Sequence, residues 1–463
     1  MPIDAVTQVP HPINEPVRQY LPGSPETAAL AAEITRLRAT MIDLPCVIGG
    51  VDRMASGERI DVVEPHAYRR VLGVTGNATA ADAAAAVAAA KAAAPAWRAL
   101  SYDDRAAVFL RAADMLAGPW RYTLNAATML NQSKNVIQAE IDAACELIDF
   151  WRYNVHFGRQ LLAEQPISSP GVWNRTDHRP LEGFVYAITP FNFTAIAANL
   201  PTAPALMGNT VVWKPSATQQ FSAHLLMRLL QQAGLPDGVI NMVTGDGKAV
   251  SDVVLADPDL AGIHFTGSTG TFRFLWKEVA SRLESYRSFP RLIGETGGKD
   301  FVVAHPSADP AVLTTALIRG AFEYQGQKCS AASRAYVARS VWEQMDTEFL
   351  HIASTLNYGD VGSDFSLFGG AVIDARSFAR VSGAIDRAKV NSAVTIAAGG
   401  TYDDSDGYFI APTVLLSSDP TVEFFADEYF GPVLSVHVYE DAEFDSILGV
   451  VDGTSPYALT GSI

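Results

Sequence analysis

The chain has 463 residues, of which 48% are hydrophobic and 18% are charged. This composition is typical of a globular protein of two or three domains and excludes a disordered or fibrous chain. Its 34 basic and 50 acidic side chains leave a net charge of −16. An acidic surface of this kind repels phosphate backbones, so we expect no nucleic-acid partner.

The cysteines and the apolar segments favour an intracellular protein. The three cysteines, Cys46, Cys145 and Cys329, fit neither a disulfide framework nor a CxxC clip. The nine histidines form no HExxH or HxxxH pair, so we expect no metal site. Residues 78–100 are alanine-rich but interrupted by charges, which predicts a soluble helix rather than a membrane span. We expect a cytoplasmic protein without a membrane partner, or a mitochondrial matrix protein if the chain is a processed eukaryotic form.

The first part of the chain is predicted to be mainly helical. Residues 1–50 predict an extended, proline-rich arm from Pro10 to Pro25, followed by a helix over residues 26–40. Ser101 and Asp104 indicate the start of a second helix that ends near Gly118. A long helical stretch is predicted over residues 136–160.

From residue 183 onwards, short apolar segments alternate with helical ones. Strands are predicted at 184–188, 210–213, 239–243 and 262–265, and helices at 195–207, 222–233, 249–255 and 272–283. This alternation predicts a parallel sheet that is covered on both faces and binds ligands at the carboxyl ends of its strands. A second alternating run, with strands near 301–303 and 335–337, predicts another α/β domain from about residue 292.

Three short segments carry side chains suited to catalysis. Cys329 lies among polar residues beside the cation of Lys328, which could favour a thiolate, although a buried structural cysteine is the alternative. Glu295 stands beside two glycines, which predicts either a carboxylate presented into a cleft or an ordinary surface turn. Asn192 lies between a strand and a helix, where its amide could donate to an oxyanion or cap the helix.

Two further segments could bind phosphate or ribose. Residues 265–270, Phe-Thr-Gly-Ser-Thr-Gly, follow a predicted strand and open a helix, where backbone N–H groups suit a pyrophosphate. Lys214 ends the strand at 210–213 and could reach a ribose or a phosphate. Neither segment has the GxGxxG pattern of a generic dinucleotide site.

Taken in chain order, these segments resemble the motifs of the aldehyde dehydrogenase superfamily. The matching residues are PFN at 190–192, WKPS at 213–216, FTGS at 265–268, ETGGK at 295–299, GQKC at 326–329 and EYFGPV at 428–433. Residues 139–150, 181–184, 189–195, 321–324 and 371–375 more narrowly resemble the branch that oxidises L-glutamate γ-semialdehyde to L-glutamate in proline catabolism. The resemblance covers almost the whole chain.

The resemblance implies an α/β fold with three parts. Residues 1–161 and 183–291 would form a Rossmann-type NAD-binding domain, 162–182 a small oligomerisation arm, and 292–463 the catalytic domain. Cys329 would attack the aldehyde, Asn192 would hold the oxyanion, and Glu295 would activate the water that hydrolyses the thioester. We expect a small aldehyde as substrate, no metal, and a homodimer or higher homo-oligomer.

The resemblance also implies contacts to the two ligands. The NAD contacts would be Thr189, Phe191, Lys214, Gly267, Ser268, Thr269, Gly270, Thr271, Glu428 and Phe430. The substrate contacts would be Ser330, Phe193 and Glu146, the last facing an amino group; a buried, internally paired carboxylate is the alternative for Glu146. Ala217 stands where many family members have a glutamate that grips the adenosine ribose, so use of NADP stays open.

The sequence leaves three other functions open. The chain could oxidise another ω-semialdehyde such as succinate semialdehyde, act as a nucleotide-independent thiol hydrolase, or be a silent scaffold.

Residues 457–463 predict a turn that enters an apolar strand. Because the resemblance implies a further segment there, which anchors the substrate carboxylate and pairs subunits, we expect this chain to be a truncated form with weak substrate binding.

Overall fold

The computed structural model describes residues 11–457 and 459–463. The predicted arm starts at Pro10, which lies outside the described residues, and continues from residue 11 without regular structure. Helix α1 (Pro25–Arg38) begins at Ser24, whose hydroxyl accepts a hydrogen bond from the N–H of Thr27. Five short strands follow that the sequence does not predict: β1 (Ile42–Asp43), β2 (Cys46–Ile48), β3 (Val51–Arg53), β4 (Arg59–Glu64) and β5 (Ala67–Gly76).

A helical region comes next in the chain. It contains α2 (Ala80–Ala99), α3 (Tyr102–Ala117), α4 (Arg121–Gln132), α5 (Val136–Ala139) and α6 (Glu146–Ala163). The alanine-rich α2 starts with a reciprocal capping box between Thr79 and Asp82. The helix predicted over 136–160 is confirmed, but a π-helical segment (Glu140–Cys145) separates α5 from α6. Such a segment adds one residue to a turn, so it changes which side chains share a face.

The first large sheet has seven strands and is built from the predicted alternation. Its elements are β6 (Phe184–Ile188), α7 (Thr194–Leu206), β7 (Thr210–Lys214), α8 (Gln220–Gln232), β8 (Ile240–Met242), α9 (Gly247–Val254), β9 (Leu260–Thr266), α10 (Thr269–Ser281) and β10 (Arg291–Glu295). The strand order is β10-β9-β6-β7-β8-β2-β3, and the five strands from β10 to β8 are parallel. The sheet therefore continues through Glu295, past the boundary expected at residue 292.

The second large sheet has six strands. The part of the chain that builds this sheet contains β11 (Asp300–Ala304), α11 (Pro310–Phe322), β12 (Ala332–Ala338), α12 (Arg339–Thr355), α13 (Ala375–Val390), β13 (Val394–Ala398), β14 (Tyr402–Asp403), β15 (Phe409–Ile410), β16 (Thr413–Ser417), α14 (Glu423–Ala426), β17 (Val433–Tyr439), α15 (Phe444–Thr454) and β18 (Gly461–Ser462). The order is β13-β16-β17-β12-β11-β18, and only β13 runs antiparallel to its neighbour. Strands β14 and β15 form a separate hairpin.

Residues 164–182 connect α6 to β6 without a helix or a strand. Residues 164–179 are exposed, whereas Pro180 and Leu181 are half-buried. The side chains of Ile167 and Trp173 are 92% and 80% exposed. Within the described ranges, no helix combines the length and the apolar character that crossing a bilayer requires.

Candidate active site

The two large sheets bring the predicted polar residues together from opposite directions. Asn192 lies in the turn after β6, Lys214 ends β7, and Glu295 ends β10. These strands are parallel, so their carboxyl ends meet at one edge of the first sheet. The second sheet faces this edge with segments that precede its strands: Cys329 comes before β12, and Glu428 comes before β17.

The turn ahead of Cys329 has an uncommon backbone. Tyr324, Gln325 and Gly326 have successive φ angles of 50°, 54° and 64°. Residues with a Cβ atom rarely adopt this left-handed conformation, so surrounding contacts must hold it. At Gly326 a Cβ atom would lie only 2.3 Å from the carbonyl oxygen of Gly431, which requires glycine at this position.

Two buried glutamine side chains hold this turn in place. Gln325 donates from Nε2 to the carbonyl oxygens of Ser133 and Ala371, at 3.1 and 2.7 Å. Gln327 accepts a hydrogen bond on Oε1 from the N–H of Ile373 at 2.9 Å. The sequence assigns no role to either glutamine. Their position next to a candidate nucleophile was the only available signal.

The thiol of Cys329 contacts the carboxylate of Glu295. Its Sγ atom lies 3.2 Å from Oε1, so the thiol donates to the carboxylate. Burial and the negative charge of Glu295 raise the pKa of the Cys329 thiol to about 12. The expectation that Lys328 favours the thiolate is wrong here, because the Lys328 ammonium pairs with Glu323 at 3.5 Å. The resting thiol is protonated, and Glu295 is placed to accept its proton.

Asn192 does not cap helix α7. This helix has Phe193 at its cap position and no side-chain cap hydrogen bond. The buried amide of Asn192 instead donates from Nδ2 to the carbonyl oxygen of Gln327 at 3.0 Å. An amide nitrogen carries two N–H groups, so one remains for an oxyanion formed at a carbon bonded to Cys329.

A cavity of about 530 Å³ lies beside the thiol. Its lining includes Cys329, Glu295 and the three predicted substrate residues, Glu146, Phe193 and Ser330. Burial, together with the charge of Asp142, raises the pKa of Glu146 to about 7. The alternative prediction, that Glu146 is a carboxylate paired within the protein, is wrong. Glu146 lines the cavity and forms no ion pair with any described residue.

Most of the remaining cavity wall is apolar and is not predicted from sequence. It includes Phe150, Ile196 and Leu200, together with His264. Phe150 lies four residues after Glu146, and Ile196 lies three residues after Phe193. Helical spacing from the predicted residues would therefore have found two of them.

On the strand-end side, the side chain of Lys214 is buried at the end of β7. Burial lowers the pKa of its ammonium group to about 8, and no residue that the structure describes forms an ion pair with it. A buried donor without a counter-charge suits the oxygens of a ribose or a phosphate. The residues present at this edge therefore fit a dinucleotide.

The start of α10 is the second feature that fits a phosphate. Ser268 caps this helix by accepting from the N–H of Thr271 at 3.1 Å, and the amides of Thr269 and Gly270 lie in the first turn. The macrodipole of this 13-residue helix favours an anion there. The N–H of Gly267 donates to the carbonyl oxygen of Glu295 at 3.1 Å, so Gly267 joins two strand ends.

The other predicted cofactor residues lie around the same edge. Thr189 is buried, and its hydroxyl accepts from the indole N–H of Trp213 at 3.0 Å. The rings of Phe191 and Phe430 meet edge to face, with centroids 5.9 Å apart.

Glu428 closes this edge from the second sheet. Its Oε1 atom accepts from the N–H groups of Gly298 and Lys299 at 3.3 and 3.2 Å. A Cβ atom on Gly297 would lie 1.8 Å from the Glu428 carboxylate, so the glycine permits this close approach.

One group of potential metal ligands occurs among the described residues, formed by Glu64, His66 and Asp360. The guanidinium of Arg38 lies 2.7 Å from both carboxylates, and that of Arg70 lies 2.8 Å from Asp360. These cations already neutralise the carboxylates. We interpret the group as an ion network that joins α1 and β4 to the segment after α12.

The fold and the site together define a class of enzyme that oxidises a carbonyl substrate through a cysteine thiol and a bound dinucleotide. A model of the aldehyde dehydrogenase family matches residues 53–463, and the chain belongs to this family.

The chain is similar to several named members of the family. A Δ1-pyrroline-5-carboxylate dehydrogenase from Agaricus bisporus is 43% identical over 462 residues, which are 99% of this chain and 84% of the relative. The mitochondrial Δ1-pyrroline-5-carboxylate dehydrogenase of Homo sapiens is 46% identical over 450 residues, 97% of this chain and 80% of the relative. The crystal structure of the Mycobacterium tuberculosis Δ-pyrroline-5-carboxylate dehydrogenase bound with NAD is 65% identical, with a TM-score of 0.96. That alignment covers 100% of this chain and 85% of the other.

These similarities decide several predictions. The predicted family, the α/β fold, the enzyme class and NAD as cofactor are confirmed. The narrower resemblance within the superfamily is confirmed as well, since relatives of that name match nearly the whole chain.

Proposed function

We propose that this chain oxidises L-glutamate γ-semialdehyde, the open form of Δ1-pyrroline-5-carboxylate, to L-glutamate with reduction of NAD. This is the second step of proline catabolism. The observation that carries the proposal is the 3.2 Å contact between Cys329 Sγ and Glu295, inside a cavity that Glu146 and Ser330 also line. The curated relatives named for this activity, which match nearly the whole chain, support it.

Glu295 acts first as the base for the thiol. A thiol whose pKa is raised to about 12 is almost entirely protonated at neutral pH. Transfer of its proton to the adjacent carboxylate produces the nucleophile at the moment of attack. Cys329 then bonds to the aldehyde carbon, and the carbonyl oxygen becomes an oxyanion.

Asn192 stabilises that oxyanion with its free amide N–H. The hydrogen bond to Gln327 fixes the amide relative to the nucleophile segment, so the donor needs no reorientation during the reaction. The chemistry that bound NAD supplies is acceptance of the hydride from this adduct, and a thioester remains on Cys329. Glu295 releases the thiol proton to solvent and, as a carboxylate again, takes a proton from the water that hydrolyses the thioester.

The residues that would hold NAD are those of the strand-end edge. Lys214 would donate to the adenosine ribose, and the first turn of α10, from Ser268 to Thr271, would receive the pyrophosphate. Glu428 would hold the nicotinamide ribose, with Thr189, Phe191 and Phe430 around the approach. With Ala217 in place of a ribose-gripping glutamate, the preference for NAD over NADP has to be measured directly.

The substrate carries an ammonium group and a carboxylate at the end opposite the aldehyde. Glu146 would pair with the ammonium group, and Ser330 would donate to the α-carboxylate. Phe193 would cover the carbon chain. This arrangement gives a reason to prefer glutamate semialdehyde over succinate semialdehyde, which has no amino group.

The experiment compares both aldehydes with NAD and with NADP, following the absorbance of the reduced nucleotide for the wild type and for Cys329→Ala. We expect kcat/KM for glutamate semialdehyde to exceed that for succinate semialdehyde by about tenfold or more, since the half-buried Glu146 carboxylate would be left without its partner. An equal or higher value for succinate semialdehyde would contradict the proposed substrate. Ester hydrolysis without any nucleotide reduction would indicate a thiol hydrolase, and neither activity would indicate a scaffold.

We propose further that residues 162–182 form an oligomerisation arm of a homodimer or larger homo-oligomer. The exposed side chains of Ile167 and Trp173 support this proposal. Replacing both by serine should lower the mass in solution measured by light scattering. An unchanged mass would contradict it.

The three free cysteines support a reducing compartment, and we propose the cytoplasm or, for a processed eukaryotic chain, the mitochondrial matrix. Fractionation of the source cells with an antibody against the chain would test this. Recovery from an oxidising, extracytoplasmic fraction would contradict it.

A further inference from the structure

Lys134, in the turn between α4 and α5, carries a charged group into the protein core. Its side chain is completely buried, and its ammonium nitrogen lies 2.5 Å from the carboxylate of Asp142 in the π-helical segment. The same nitrogen stands 4.0 Å from the ring centroid of Phe193 and 4.4 Å from that of Tyr324. Cation–π attraction is strongest in such desolvated positions, so Lys134 holds both rings firmly.

The two rings belong to two different segments that carry active-site residues. Phe193 lines the cavity and directly follows Asn192, the oxyanion donor. Tyr324 opens the left-handed turn that leads to Cys329. One ammonium group therefore contacts both the segment that carries the oxyanion donor and the segment that carries the nucleophile.

The positive charge of Lys134 also acts on Glu146. The groups that face this carboxylate are Asp142 on the preceding turn, Lys134, Lys328 on the nucleophile segment, and Glu295 at the end of β10. Burial, Asp142 and Glu295 raise the pKa of Glu146, whereas Lys134 and Lys328 lower it, and the result is about 7. Loss of the Lys134 charge would therefore raise the pKa of Glu146 further and increase its protonated fraction at neutral pH.

We propose that Lys134 is a positioning residue of this active site: it fixes Phe193 and Tyr324 relative to each other, and its pairing with Asp142 offsets that negative charge beside Glu146, the carboxylate that would bind the substrate amino group. The second part rests on the proposed function, in which Glu146 pairs with that amino group. Lys134 itself touches none of the reacting atoms, so its effect passes through these three side chains.

The test uses Lys134→Met, which keeps the length of the side chain and removes its charge. We expect kcat to fall about tenfold, because a small displacement of reacting groups is costly. The KM for glutamate semialdehyde should rise about threefold to tenfold more than the KM for the ω-aldehyde acid of equal length without an amino group. The acid limb of kcat/KM should move up by about one pH unit, since the raised pKa of Glu146 places its ionisation at higher pH.

Two further variants separate charge from packing. Lys91→Met removes a lysine that pairs with Asp257 and Asp259, at 2.8 and 2.7 Å, and that lies away from the cavity; it should keep wild-type kcat and KM. In a Glu146→Gln background, Lys134→Met should still lower kcat but should no longer change the discrimination between the two aldehydes.

Thermal unfolding and NAD binding report whether Lys134→Met folds. If it does not, the double variant Lys134→Met, Asp142→Asn removes both buried charges. Its kcat should stay low. The acid limb of its kcat/KM should lie at or below the pH of the wild-type limb, because Asp142 influences the pKa of Glu146 more than Lys134 does. Wild-type kcat in the folded variant, or equal losses on both aldehydes with an unmoved acid limb, would overturn the proposal. Failure of the proposed function would give a different result, because the wild type itself would then prefer the aldehyde without an amino group. In that case the kcat of Lys134→Met on that aldehyde would test the positioning role.

Discussion

The active site has a strand-end wall, formed by Lys214 and the start of α10, and a helical wall, formed by Lys134, Asp142 and Glu146. The two walls carry charge in different ways. On the strand-end wall, the Lys214 ammonium has no counter-charge among the described residues, and the first turn of α10 leaves N–H groups open. On the helical wall, Lys134 is compensated by Asp142, and the carboxylate that faces the cavity is Glu146. One wall therefore offers positive charge and donors, whereas the other offers a negative charge.

This difference shows how one site can receive two unlike ligands. The strand-end wall suits a polyanion, because its donors lack partners until a phosphate or ribose arrives. The helical wall suits a small cationic group, because Glu146 can pair with an ammonium ion. Cys329 and Glu295 lie where the two walls meet, so substitutions there should affect both half-reactions, and substitutions in one wall should affect one ligand.

The largest effect is expected at the junction of the two walls. Cys329→Ala removes the proposed nucleophile, and aldehyde oxidation should disappear while NAD binding stays intact. Turnover by absorbance and NAD affinity by titration calorimetry measure the two properties. Turnover near the wild-type rate would show that the thiol is not the nucleophile, and loss of NAD binding would show that the junction also supports the strand-end wall.

Glu295→Gln should lower steady turnover by about 10³-fold, because both the thiol and the hydrolytic water lose their base. In rapid mixing at neutral pH, the NADH burst should be slow, and it should recover as the pH rises and the thiol ionises unaided. A fast burst at neutral pH would mean that Glu295 serves only the water step.

Asn192→Ala should lower turnover by about 10²–10³-fold, as loss of one oxyanion donor does in other enzymes. The KM for either ligand should change little, because the oxyanion exists only during the reaction. Steady-state kinetics measure both quantities. A loss below about threefold would leave Asn192 with a structural role through Gln327.

Glu146→Gln isolates the helical wall. It should raise the KM for glutamate semialdehyde by about tenfold or more and leave the KM for NAD unchanged, since a hydrogen bond to a charged group is lost. In the wild type, this KM should rise as the pH falls below about 7, because the raised pKa of Glu146 makes it protonate there. The variant should lack that pH dependence, and its persistence would assign it to another group.

Lys214→Met isolates the strand-end wall and should have the smallest effect of the five. The KM for NAD should rise about tenfold, which corresponds to the loss of one hydrogen bond to a charged group. The KM for the aldehyde should stay within about twofold. A change confined to the aldehyde would contradict the division of the two walls.

The two walls also differ in how far sequence predicts them. Lys214 ends a buried strand, and Asn192 and Ser268 follow the ends of two others within four residues. The alternation of strands and helices therefore places all three at one edge before any coordinates are known. The fold was predictable for the same reason, because apolar strands and capped helices are local signals. The five strands within residues 42–76 were not predicted, because four of them span only two to six residues and none belongs to the alternation of strands and helices.

The helical wall depends on contacts that sequence does not display. The π-helical segment changes which side chains share a face of a helix that the sequence predicts as regular. A role for Lys134 can be inferred only from its contacts with the rings of Phe193 and Tyr324. The left-handed turn at Tyr324 and Gln325 exists because Ser133 and Ala371 accept hydrogen bonds from Gln325. For the same reason, the proximity of Lys328 to Cys329 in sequence wrongly predicted a stabilised thiolate, since the Lys328 ammonium pairs with Glu323.

The most direct test of catalysis at this junction is intact-protein and peptide mass spectrometry of Glu295→Gln after mixing with glutamate semialdehyde and NAD. Because the water step is slowed, a glutamyl thioester should accumulate at Cys329 in step with NADH, and it should be absent from Cys329→Ala. Formation of NADH without any adduct, or an adduct on Cys46 or Cys145, would contradict the assignment of Cys329 as the nucleophile.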